Sequence, residues 1–133
     1  MPGPEFVDLV GKDNTRALLE FFSESLGKET PVTAIKLQRF DNQEQVHHGG
    51  YHVDKKSAMV VLLGGDNLVG GGITYVDKDG RHDMEEVIPG SAFVHGPRVL
   101  HAAMSHTGKR FTAVFYSTEN AKPEDCILKN LLN

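Results

Sequence analysis

The spacing of apolar residues changes character near residue 31. Before it, Leu18, Leu19, Phe22 and Leu26 recur at helical spacing, which predicts a helix over residues 14–26, with Asp13 or Asn14 as N-cap and Gly27 as its close. After Pro31 the apolar residues gather in short β-branched runs. VTAIKLQRF (32–40) and SAMVVLLGG (57–65) have the length and composition of strands, and the polar DNQEQVHHGG (41–50) between them is a loop. GGITYV (71–76) and MEEVIP (84–89) flank DKDGRHD, predicting a hairpin around a Gly-containing turn. GSAFVHG, VLHAAM and RFTAVFYS continue the series. Pro123 then precedes EDCILKNLLN, a short C-terminal helix presenting Ile127, Leu128 and Leu131. About eight short strands with helices only at the ends predict an all-β core with flanking helices, a barrel or two-sheet jelly roll.

The 133 residues suit a single domain, 1–133, with its core over about 32–118, and contain neither an internal repeat nor a low-complexity linker. A net charge of −4 argues against a partner gripped through phosphates, so nucleic acid is not expected. No apolar run approaches the ~20 residues that span a bilayer, and the start MPGPEFVDLVGKDN lacks a basic, then apolar, leader. The single cysteine, Cys126, excludes an internal disulfide and fits a reducing compartment, so a cytoplasmic location is expected. The glycines at 64–65 and 70–72 precede no Gly-Lys-Ser/Thr and open no helix, so they form no phosphate loop. DKDG begins like a calcium loop, but Ile88 stands where its final glutamate is needed.

The candidate chemistry lies in the histidines. Side chains two apart on a strand share a face, so in YHVD (51–54) His52 and Asp54 emerge side by side. An imidazole beside a carboxylate supplies two legs of the 2-His-1-carboxylate facial triad that holds Fe(II) and leaves other positions open. His47 and His48 belong to the polar loop and lie too close in sequence to be the natural third leg. His82 in its turn and His106 in SHTG are expected to face solvent, leaving His95 and His101 as contenders for the third leg. His101 gains weight from Arg110, nine residues on. In RFTAVFYS, Arg110, Thr112 and Val114 share one face and Phe111, Ala113 and Phe115 the other. An arginine turned into a barrel needs an anionic partner, and a guanidinium fork matches a carboxylate. The opposite phase of the strand leaves Arg110 in solvent.

Together HVD (52–54), the distal histidine in GPRVLHAAMSHTGKRF (96–111) and the arginine after it resemble the Fe(II)- and 2-oxoglutarate-dependent dioxygenases, most closely their prolyl-hydroxylase-like branch. LQRF, GGGITYVDKDG, VIPGSAFV and KRFTAVFYS fall in that family's order, and the likeness covers roughly residues 32–118. The resemblance implies a double-stranded β-helix. It implies that His52, Asp54 and His101 ligate Fe(II), that Arg110 pairs with the distal carboxylate of 2-oxoglutarate, and that Thr112 supplies a supporting hydroxyl. The implied reaction consumes O2, decarboxylates 2-oxoglutarate to succinate and hydroxylates an aliphatic C–H bond, here of a prolyl residue in a peptide or protein. Relatives often add a tyrosine contact to the cosubstrate. Here AMVVLL is wholly apolar and Phe40 replaces a frequent tyrosine, so the second anchor falls to Gln38, Tyr51 or Tyr75, with Tyr75 carried forward among the site residues. Two other classes compete: a cupin-like metal protein without 2-oxoglutarate, and a ligand-binding β-helix domain without catalysis. The first favours an HxH cluster with a following glutamate, where this chain has Lys55 and Lys56. The second is expected to have lost a ligand or the arginine.

Overall fold

The computed structural model describes residues 1–41, 50–85, 88–128 and 130–132. Among the described residues, helices α1 (Gly3–Val10) and α2 (Lys12–Leu26) precede seven strands: β1 (Ala34–Asp41), β2 (Ser57–Gly70), β3 (Ile73–Asp77), β4 (Gly80–Met84), β5 (Ala92–His95), β6 (Leu100–Ala103) and β7 (His106–Ser117). The strands form two antiparallel sheets, β1-β7-β2-β5 and β4-β3-β6. This is the all-β jelly roll with flanking helices that the strand count implies.

The larger sheet is buried on both faces, and strand alternation decides what each face does. Ile35, Met59, Val61, Ala113 and Phe115 point to the helices and close a core with Phe6, Val7, Phe22, Val32 and Leu128. Phe6 meets Phe115 edge to face at 5.1 Å. The opposite face carries Gln38, Phe40, Ala58, Val60, Arg110, Val114 and Tyr116, which line a cavity against the smaller sheet. Arg110 therefore lies inward, 4% exposed, rather than in solvent.

Several elements depart from the sequence reading. Neither Asp13 nor Asn14 caps α2. The helix starts at Lys12 behind Gly11, whose φ of +89° breaks the chain into two helices. Asn14 instead donates to the Val10 carbonyl and Thr15 to that of Gly11, so their side chains serve the break. The C-terminal helix is reduced to one 3-10 turn, Pro123–Asp125. The Ile127 N–H donates to the Val32 carbonyl at 2.9 Å, a tertiary bond that competes with helix continuation, yet Leu128 still reaches the core. The hairpin turn occupies only Lys78 and Asp79, which puts His82 on β4 rather than in the turn.

Strand β2 continues past residue 65 through two register shifts against β7, at Leu62/Gly64 and Asp66/Val69. Gly108 faces the second with φ +80°, and a Cβ there would collide with the Asn67 carbonyl oxygen. Gly108→Ala is expected to cost roughly 1–3 kcal/mol through this backbone conflict. Urea unfolding checks it, as a lower midpoint at unchanged slope. Among the described residues no helix is long and apolar enough to cross a membrane.

Candidate metal centre

The site begins with an isolated antiparallel bridge between His52 and His101. Each N–H donates to the other's carbonyl at 3.0 Å, so the HVD segment extends the smaller sheet beyond β6. Residues paired this way project side chains to one face, which is why the HxD motif and the distal histidine meet. Asp54 is held in line by its carbonyl, which accepts from the Arg98 N–H at 2.7 Å.

Asp54 Oδ2 lies 3.7 Å from His52 Nε2 and 3.4 Å from His101 Nε2, and the three donor atoms fall within 4.8 Å of one another. Two donors each about 2.1 Å from one ion, at angles of 90–110°, stand roughly 3.0–3.4 Å apart, so small ring rotations complete a metal site. The tautomer fits as well. His101 Nδ1 lies 2.7 Å from the Val99 carbonyl oxygen; a carbonyl only accepts, so Nδ1 carries the proton and Nε2 keeps its lone pair for a metal. His101 is buried, while His52 and Asp54 are partly open toward the mouth. This His-Asp-His cluster can hold a metal ion.

The cavity, about 150 Å³, runs from this triad to Arg110. Phe40 packs on the guanidinium, whose carbon is 5.8 Å from the ring centroid. Gly71 also neighbours the arginine side chain, where a Cβ would sit in ordinary contact with Arg110 Cδ at 3.7 Å. Thr112, wholly buried on the same face of β7, donates to Gln38 Oε1 at 3.5 Å. Of the three proposed second anchors, Gln38 is the one that lines the cavity. Tyr51 bonds Thr74 at 3.2 Å. Tyr75 sits one strand from His101 but is not in the cavity wall; its ring stacks on His82 at 4.8 Å and packs against Phe93. The β3–β4 pairing opposes Tyr75 to His82, the partner its ring stacks on.

His106, expected in solvent, is 4% exposed, with Nε2 3.4 Å from the Phe40 carbonyl oxygen. It opens β7 opposite Gly70, so it is covered by the sheet. His47 and His48 lie outside the described residues. One wall residue, Tyr116, escaped the sequence reading, and His95, a contender there for the third leg, takes a place in the wall instead. Tyr116 continues the alternation Arg110, Thr112, Val114 by one step; burial, with the Asp54 charge second, raises its phenol pKa. His95 lines the cavity from β5, and burial holds its imidazole below the ordinary pKa despite an opposing hydrogen bond to the Gly96 carbonyl. The pattern FVH, with Phe93 and His95 sharing a face, was the available signal.

No family model matches the chain, and no curated protein does. Solved structures resemble it at the level of the fold. A 4-keto-6-deoxy sugar epimerase from Streptomyces spheroides, NovW, shares 14% identity over 80% of this chain and 55% of its own, with a TM-score of 0.55. A DMSP lyase structure (14%, 62% of this chain, 37% of that one, TM-score 0.46) and the Neisseria meningitidis protein NMB1881 (14%, 63% and 72%, 0.45) are more distant in shape. The chain thus spans about a third of the lyase and about half of the epimerase. The likeness to the epimerase agrees with the jelly-roll fold and leaves the chemistry to the site.

Proposed function

We propose that this chain is an Fe(II)- and 2-oxoglutarate-dependent oxygenase that hydroxylates an aliphatic C–H bond, with a prolyl residue of a peptide or protein as the substrate class. One observation carries the reading: the cavity that opens on His52, Asp54 and His101 also contains the buried guanidinium of Arg110. A dicarboxylate suits such a cavity, one end at the metal and the other on the arginine.

Fe(II) held by the triad would supply O2 activation coupled to oxidative decarboxylation of 2-oxoglutarate. The chain's own residues bind and orient. Arg110 offers two parallel N–H donors to a carboxylate in a water-poor pocket, where a charge-assisted pair is strongest. Gln38 borders that carboxylate site from the cavity wall, and Thr112, its cross-strand partner behind the wall, donates to its Oε1. Val60, Ile73 and Val114 form apolar walls that keep water from the middle of the cavity. His101 Nδ1–H on Val99 fixes the ligand ring. The half-open His52 and Asp54 leave the mouth as the approach for the second substrate.

A metal protein of the same fold that does not use 2-oxoglutarate is the second reading. The jelly roll and the His-Asp-His cluster support that broader statement directly, whereas the cosubstrate rests on Arg110. Anaerobic titration of the protein with Fe(II) and 2-oxoglutarate separates them. The oxygenase reading expects a weak visible charge-transfer band that requires both additions. Iron binding with a spectrum indifferent to 2-oxoglutarate selects the second reading, and no iron binding leaves a ligand-binding domain.

A further inference from the structure

We propose that His95 is a positioning residue for the candidate ligand His101, holding that imidazole in the plane and tautomer a metal requires. The inference rests on the metal reading of the triad and adds a residue to it.

His101 is the middle ring of three. The His52 ring lies at a centroid distance of 4.3 Å and the His95 ring at 4.2 Å, both tilted to it. The bond from Nδ1 to Val99 fixes one atom of the His101 ring; it leaves the ring free to pivot about that contact. Contact with the two neighbouring rings restricts that pivot. The two flanking rings differ in rigidity. His52 stands on an isolated bridge and is partly open to solvent. His95 is 5% exposed and belongs to β5, where it pairs with Ala58 of β2 in the larger sheet. Its Nδ1 lies 2.8 Å from the Gly96 carbonyl oxygen, and Phe93 stands 5.7 Å away. The firm support for His101 therefore comes from the larger sheet, across the cavity from the strand that carries the ligand. Groups that orient a metal-bound imidazole commonly affect metal affinity by 10–100-fold. A side chain packed on the ring achieves the same restriction without a hydrogen bond.

The test uses Mn(II) as probe, with free Mn(II) followed by electron paramagnetic resonance, and 15N-resolved imidazole spectra of the metal-free protein. His95→Ala is expected to weaken Mn(II) binding by about tenfold or more and to blur the Nδ1-protonated signature of His101. His95→Phe, which restores a ring but no nitrogen, should return both close to wild type. Wild-type affinity in His95→Ala overturns the proposal, and so does a His95→Phe variant as weak as His95→Ala. If the alanine variant does not fold, His95→Leu against His95→Phe makes the same comparison with the volume filled. Failure of the wild-type protein to bind Mn(II) would sink the metal reading instead. The His101 tautomer then decides the positioning role alone: an unchanged signal in His95→Ala overturns it.

Discussion

Replacing Arg110 with alanine is expected to weaken 2-oxoglutarate binding by roughly thirtyfold to several thousandfold, the equivalent of 2–5 kcal/mol for truncating one partner of a buried charge pair. Metal affinity should stay near wild type. The separation follows from the placement of Arg110 on β7, in the larger sheet, while the triad is carried by the HVD segment and β6. Burial to 4% exposure and the Phe40 ring over the guanidinium hold the fork in one orientation. Lysine at this position keeps a charge but loses the planar pair of donors, so Arg110→Lys should recover only part of the loss. Titrating 2-oxoglutarate calorimetrically into the Mn(II)-loaded protein measures the effect. Parallel loss of metal and 2-oxoglutarate binding in Arg110→Ala would remove Arg110 from the proposed role and favour the metal protein without 2-oxoglutarate.

The same residue shows how far the sequence was informative. Alternation places Arg110, Thr112 and Val114 on one face without saying which face is inward, since period two is silent about phase. Phe111, Ala113 and Phe115 did not break the tie, because a strand buried on both sides carries apolar residues on both. The structure resolves it through the helices: α1 and α2 take the odd-numbered residues as their floor. HxD was legible because the two side chains lie two apart in sequence. Its meeting with His101 depends on a bridge between segments nearly fifty residues apart, and only the family likeness linked them in advance.

What was misplaced has local causes. His106 stands in a polar SHTG context that resembles a turn, but pairing with Gly70 carries β7 through it and buries it. His82 was assigned to a turn because Gly80 sits in DKDGRHD. The two-residue turn ends before that glycine, and the following strand aligns His82 with Tyr75. That alignment also explains why Tyr75 is not in the cavity wall. A tyrosine on the ligand's own sheet face satisfied the sequence criteria, and a neighbouring aromatic ring claimed it. His95 yields the third leg to His101 on sequence grounds, through the arginine that follows His101. Its place beside that ring depends on β5 pairing with Ala58, a register that no local pattern encodes.

Asp54→Ala should lower metal affinity by more than about 100-fold, beyond the range typical of groups that only orient ligands. Asp54 is the anionic member of the cluster, and its Oδ2 lies within 3.7 Å of both imidazole Nε2 atoms. Its loss removes a donor and the negative charge that offsets a divalent cation. Asp54→Asn retains shape and a neutral oxygen, so it should fall between wild type and alanine. His82→Ala removes a partly exposed imidazole hydrogen-bonded to Asp77 on the β3–β4 hairpin, and should leave metal affinity intact. The effect is also readable without any reaction. A ligand that binds only the folded protein stabilises it by about 2.7 kcal/mol at a hundredfold excess over its Kd. Mn(II) at that level should raise the unfolding temperature of the wild-type protein and of His82→Ala, and leave that of Asp54→Ala almost unmoved. Equal stabilisation of all three would place the ion somewhere other than this cluster, because Asp54 is the donor that both histidines share.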